Sequence, residues 1–173
     1  MIRPIIEYGD VLFPDLTQIQ SKYLELIQRH VGLFCTSAYL RTPQTLLLNE
    51  LGWEELSVRR KFHCLVQMYK IQTNCVPHYL SKICPPTRDQ TSQYSLRNSQ
   101  NILPIFCKYA CFKRSFFPFT IHLWNSLDLG VRQLSTVNMN KTEISNTLLS
   151  KHDKLLSSFH GRGSINHTNI RLG

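Results

Sequence analysis

Apolar residues recur at helical spacing along most of the chain, a pattern that predicts a mainly α-helical fold. Four helices are predicted in the first half of the chain, at residues 16–34, 42–51, 54–73 and 77–83. Asp15 is the predicted N-cap of the first helix. One apolar face of that helix is expected to pack in the core, and its members are Leu16, Ile19, Tyr23, Ile27, Val31 and Phe34.

In the second half of the chain a polar segment comes first, and helical patterns follow it. Residues 84–111 open with two prolines and are rich in Thr, Ser, Gln and Asn, so we expect a surface arm that orders on a partner. Ser115 then suits the N-cap of a short, buried C-terminal helix, and a weaker helix is predicted at 137–149. These patterns divide the chain into a helical bundle (1–83), a polar arm (84–111), a C-terminal helical segment (112–150) and a frayed, truncated tail (151–173).

Positive charge is concentrated in the middle of the chain. The net charge is +9, and residues 57–124 carry ten Lys or Arg against the single acidic Asp89, which accounts for the whole surplus. Such a segment favours a polyanionic partner, of which nucleic acid is the commonest. Two alternatives stay open: a basic face that only meets water, and a helical interaction or structural module that docks an acidic protein. Aromatic residues on which bases stack alternate with these cations: Tyr94, Phe106, Tyr109, Phe112, Phe116 and Phe117.

Little in the sequence points to catalysis. The six cysteines and the lack of a bilayer-spanning apolar run indicate free thiols and an intracellular setting, nuclear or cytoplasmic. A zinc site at Cys107, Cys111 and His122 has wide spacing and no clear fourth ligand, although Cys84 is possible. There is no Gly-rich phosphate loop, and Asp10 lacks the adjacent second carboxylate of a metal-pair site. We therefore expect no enzymatic activity, no cofactor, no metal, no small-molecule substrate and no membrane partner.

A longer ordered motif surrounds the start of the predicted C-terminal helix. Lys113-Arg114 precede Ser115-Phe116-Phe117-Pro118, and Trp124-Asn125-x-Leu127 follows. This order resembles a segment near the C-terminal end of LINE-type (non-LTR) retrotransposon polyproteins of the jockey-like group. Shorter stretches resemble the same family in the same order, although the match weakens after Leu127: Tyr8-Gly9-Asp10, Gln18-Ile19-Gln20, Gln28-Arg29, Leu51-Gly52-Trp53, Tyr69-Lys70-Ile71, Val76-Pro77 and Tyr94-Ser95-Leu96-Arg97.

The resemblance implies the thumb and post-thumb region of a reverse transcriptase, an RNA-directed DNA polymerase encoded by a transposable element. The palm carboxylates and the endonuclease of that family are absent from this chain, so the resemblance implies a non-catalytic fragment that grips RNA or an RNA/DNA hybrid. The candidate nucleic-acid-binding residues are Arg29, Arg59, Arg60, Arg97, Lys113 and Arg114, with Tyr94 and Tyr109 as candidate stacking platforms.

Overall fold

A computed structural model describes residues 3–94, 98–134 and 137–160, with side chains at 4–94, 98–134 and 138–150. The predicted mainly α fold is confirmed. Within these ranges there is no strand, and only an isolated antiparallel bridge joins Thr87 to Ile102. A 3-10 turn at Asp10–Leu12 lies between the first two helices. The α-helices are α1 Arg3–Ile6, α2 Gln18–Thr36, α3 Gln44–Leu51, α4 Leu56–Gln72, α5 His78–Ile83, α6 Arg88–Thr91, α7 Ala110–Lys113, α8 Phe116–Asn125, α9 Leu129–Arg132 and α10 Val137–His160.

Helix α4 is the helix on which most of the others pack. It contacts α2, the 3-10 turn, α5, α8 and α10. A helix that is apolar around most of its circumference must be enclosed by its neighbours. The buried residues of α4 fit that rule, since they occupy several faces: Leu56, Val58, Arg60, Cys64, Leu65, Val66, Met68, Tyr69 and Ile71.

The main core lies between α4, α8 and α10. Ile121 of α8 is 1% exposed, Trp124 is 4% exposed, and Ile144 of α10 is completely buried. Burial of each such side chain stabilises the fold by about 1.5–3 kcal/mol. The Tyr69 hydroxyl donates to the Leu134 carbonyl at 2.6 Å, so its polar end is satisfied inside the core. The predicted short, buried C-terminal helix is confirmed.

One predicted helix cap is wrong, and a second is the N-cap residue as predicted but does not form the expected side-chain hydrogen bond. Thr17, and not Asp15, caps α2: its hydroxyl accepts from the Gln20 amide at 3.3 Å, while the Gln20 side chain accepts from the Thr17 amide at 3.1 Å. This reciprocal arrangement satisfies two helix-terminal donors at once. Ser115 precedes α8 as predicted, but its hydroxyl donates to the Phe112 carbonyl at 2.7 Å. Helix α7 ends just before Ser115. The Ser115 hydroxyl therefore bonds to a carbonyl of α7 and does not cap α8.

Helix α2 faces the opposite way from the sequence prediction. Ile19, Tyr23 and Phe34 were expected in the core, yet they are 68%, 65% and 87% exposed. The polar side of the helix faces the body instead. Gln28 is 4% exposed, and its Nε2 donates to the Glu54 carbonyl at 3.0 Å. Apolar periodicity locates a face on a helix, but it does not say whether the same chain covers that face.

The polar segment 84–111 is anchored to the body, which corrects the expectation of a surface arm. Ile102 is 1% exposed and lies in the main core. The Asn125 side chain clamps its backbone: Oδ1 accepts from the Ile102 amide at 3.0 Å, and Nδ2 donates to the Ile102 carbonyl at 2.9 Å. Backbone hydrogen bonds also join residues 86–89 to residues 99–103. The segment is therefore held to the body at Ile102.

The C-terminal helix is longer than predicted. Helix α10 continues to His160, so the proposed boundary between residues 150 and 151 falls within a helix. The rest of the predicted tail, 161–173, lies outside the described residues. None of the helices in the described part of the chain combines the length and the apolar character needed to cross a membrane.

Candidate nucleic-acid interface

The predicted cations near the start of α4 belong to the fold. Arg59 binds the Glu7 carboxylate through two contacts, Nε to Oε1 at 2.5 Å and Nη2 to Oε2 at 2.9 Å. A paired, half-buried guanidinium of this kind matches carboxylate geometry and has its charge neutralised. The assignment of Arg59 to nucleic acid is therefore corrected to an ion pair that joins the N-terminal segment to α4.

Arg60 is enclosed more completely. Only 5% of the residue is exposed, and its Nη2 donates to the Ser21 hydroxyl at 3.2 Å. Burial lowers the pKa of Arg60, while the nearby Glu25 and Asp10 carboxylates act in the opposite direction. A guanidinium inside the fold cannot meet a phosphate backbone, so this assignment is wrong. Both carboxylates come from distant parts of the sequence.

Arg29 also has partners within the fold. Its Nη2 donates to the carbonyls of Leu40 and Thr42 in the connection between α2 and α3. Those bonds satisfy carbonyls that follow the end of α2. Arg29 is half-buried, and the geometry gives it the role of holding this connection.

A second group of cations has a different environment. Lys108, Lys113 and Arg114 are exposed, and among the described residues none of them forms an ion pair. No acidic residue occurs in the sequence between Asp89 and Asp128. Cations without local carboxylates keep their full charge for an external partner. Lys108 was not among the predicted site residues, although its place five residues before Lys113 was a signal that sequence reasoning could have used.

Exposed aromatic rings lie in the same stretch. Phe106 is 89% exposed, Tyr109 is 64% exposed and Phe112 is 45% exposed. The Lys108 ammonium lies 5.6 Å from the centroid of the Tyr109 ring. We call Phe106, Lys108, Tyr109, Phe112, Lys113 and Arg114 the basic-aromatic surface. Rings that reach into water beside cations have the composition of a platform for nucleic-acid bases.

Two other predicted residues lie outside this segment of the sequence. Tyr94 is 80% exposed. Arg97 lies outside the described residues. Of the predicted residues that the structure describes, Tyr109, Lys113 and Arg114 belong to the basic-aromatic surface.

A shallow, open groove borders the surface. It is lined by Phe106 and Lys113 together with Pro104, Ile105, Cys107, Pro118 and His122. Phe106 and Lys113 thus contribute to the same groove. In the described part of the chain, no three His, Cys, Asp or Glu side chains are grouped so as to hold a metal ion.

Burial disfavours the thiolate form of two cysteines near the core, Cys64 and Cys84. Burial raises the pKa of Cys64 to about 12. Burial also raises the pKa of Cys84, whose sulfur accepts from the Gln72 amide at 3.3 Å. A thiol is a nucleophile only as the thiolate, so these two side chains are suited to packing.

Comparison with known proteins gives no relative. No protein-family model, curated protein or solved structure shows significant similarity to this chain.

Proposed function

We propose that this protein binds RNA or an RNA/DNA hybrid through the basic-aromatic surface. The observation that carries the proposal is the combination, within residues 106–114, of exposed cations that lack carboxylate partners and exposed aromatic rings. Cations supply the salt-dependent part of nucleic-acid affinity by releasing counterions from the phosphates. Rings supply stacking of about 1–3 kcal/mol per base.

We further propose that the chain is a non-catalytic C-terminal part of a LINE-type retrotransposon reverse transcriptase. Support comes from the ordered motif at Lys113–Leu127 and from the shorter stretches that precede it. The proposal assigns binding, and no chemistry, to this part of the polyprotein. A longer reading frame that encodes a Tyr-x-Asp-Asp segment upstream of Met1 would support it, and an unrelated upstream frame would count against it.

The test is a salt titration of binding to a short fluorescent single-stranded RNA. Each phosphate contact contributes about 0.7 to the slope of log K against log salt for single strands. Replacing Lys113 and Arg114 together with Ala should therefore flatten the slope by roughly 1.4 units. The matched control replaces Lys82 and Lys141 with Ala, which removes the same charge from exposed positions elsewhere.

The two outcomes are distinct. An equal change of slope in the test and control variants would show that only net charge matters, and the assignment to the basic-aromatic surface would fail. Failure to bind RNA, together with salt-sensitive binding to an acidic polypeptide such as polyglutamate, would favour the alternative of an interaction module for an acidic protein. That alternative uses the same cations but has no need of the rings.

A further inference from the structure

Helix α2 presents a continuous apolar face to solvent. We call it the α2 stripe, and all of its members are exposed. Among its apolar members, Phe34 is the most exposed at 87%, and Leu26 and Ile27 are the least exposed at 45% each. Exposed apolar patches of several hundred Å² are typical of protein interaction sites. The stripe consists of Ile19, Tyr23, Leu26, Ile27, His30 and Phe34.

The orientation of the stripe is fixed by polar contacts on the other side of α2. The Glu25 carboxylate accepts from the Ser57 amide at 3.1 Å, and Gln28 donates to a carbonyl just before α4. Gly32, also on that side, is buried against α3, where an added Cβ would be in ordinary contact at 3.6 Å from Leu47. Turning the helix over would break these bonds and leave the Ser57 amide and the Glu54 carbonyl without these partners. These contacts therefore hold α2 with the stripe facing solvent.

The spacing of the stripe is symmetric about its own centre. Counted from the midpoint between Leu26 and Ile27, Tyr23 and His30 are equally distant, and so are Ile19 and Phe34. We propose that the stripe of a second copy covers this face, with the two α2 helices antiparallel around a twofold axis at that midpoint. Twofold interfaces use the same patch on both subunits, which requires this self-complementary pattern.

In this arrangement every stripe residue meets another stripe residue. Ile19 of each copy lies opposite Phe34 of the other, Tyr23 lies opposite His30, and Leu26 lies opposite Ile27. The exposed area of these side chains is roughly 700 Å² per copy, close to the ~800 Å² per partner of a standard interface. The patch is therefore large enough to hold two copies together.

The net charge of the chain determines how salt should affect the dimer. Each copy carries +9, and Lys22 borders the stripe. Two copies repel one another at long range, and added salt screens that repulsion. Self-association should therefore become tighter as salt rises. Binding of the stripe to an acidic partner, or of the basic-aromatic surface to RNA, would become weaker instead.

The experiment is sedimentation equilibrium of the full chain over a range of concentrations, at low and high salt. We expect a monomer–dimer equilibrium that shifts toward dimer with salt. Ile19→Glu should weaken dimerisation by at least about tenfold, because a carboxylate would be buried against Phe34. Tyr39→Glu is the control, since Tyr39 is 90% exposed and lies outside α2.

A double variant tests the antiparallel register. In Ile19→Glu/Phe34→Lys, the introduced carboxylate of one copy meets the introduced ammonium of the other, so association should recover by about tenfold over Ile19→Glu alone. Ile19→Lys/Phe34→Lys should not recover. A chain that stays monomeric at high salt, an equal loss with Tyr39→Glu, or a double variant without recovery would each overturn the proposal. All the substituted positions are exposed, so the fold is retained in each variant.

Discussion

The clamp that Asn125 forms on Ile102 gives the sharpest stability prediction. Asn125→Ala removes an acceptor for the Ile102 amide and a donor for its carbonyl, at 3.0 Å and 2.9 Å. The backbone that loses them belongs to a residue only 1% exposed. A buried polar group left without a partner costs about 1–3 kcal/mol, so the two together should lower the free energy of unfolding by about 2–4 kcal/mol. For a chain of this size that corresponds to a fall in Tm of roughly 5–12 °C.

Urea unfolding followed by tryptophan fluorescence would measure the loss, because Trp124 is buried in the core that the clamp supports. Asn49→Ala is the matched control, since Asn49 is an exposed residue of α3 and reports the gain in helix propensity alone. Hydrogen exchange at residues 99–105 should accelerate in Asn125→Ala, since the segment would open locally. A loss below about 0.5 kcal/mol, with unchanged exchange, would refute the idea that this contact anchors the polar segment.

Three further outcomes are expected. Arg59→Ala should cost about 1 kcal/mol of stability through the lost pair with Glu7, yet leave the salt slope of RNA binding unchanged; a flatter slope would return Arg59 to the interface. Cys64 should resist an alkylating reagent at pH 8 in the native protein while the exposed thiols react, because its pKa is about 12; early labelling, detected by mass spectrometry, would contradict this. Replacing Phe106 and Tyr109 with Ala should weaken RNA binding by about 1–3 kcal/mol per stacked base with an unchanged salt slope, and an unchanged affinity would mean that the rings do not stack.

The sequence was sufficient for the centre of the fold. Ile121 and Trp124 occur at helical spacing in the most apolar run of the chain, and both are buried as that pattern predicts. The pattern works there because the covering elements, α4 and α10, belong to the same chain and are themselves strongly patterned. It failed for α2, where Ile19 and Phe34 are equally well spaced but nothing in the described part of the chain covers them.

The errors in the candidate site have one physical cause. A basic residue in a sequence has the same appearance whether it meets water, phosphate or a carboxylate. Arg59 is paired with Glu7, and Arg60 lies near Asp10 and Glu25; each carboxylate lies more than thirty positions earlier in the chain than its arginine. Such distant pairings arise from tertiary packing and leave no local spacing to read. Lys113 and Arg114 were predicted as exposed cations for a sounder reason, because no acidic residue lies near them in sequence.

The two surfaces proposed for this protein should respond to salt in opposite directions. The α2 stripe is apolar and should associate better as repulsion is screened, whereas the basic-aromatic surface should release RNA under the same conditions. The two surfaces share no residue, so a dimer through α2 would carry two basic-aromatic surfaces. Bound RNA would neutralise part of the +9 charge of each copy and so relieve the repulsion that opposes pairing. At low salt, RNA should therefore promote the dimer, and an RNA long enough to reach both surfaces should bind more tightly than two short ones.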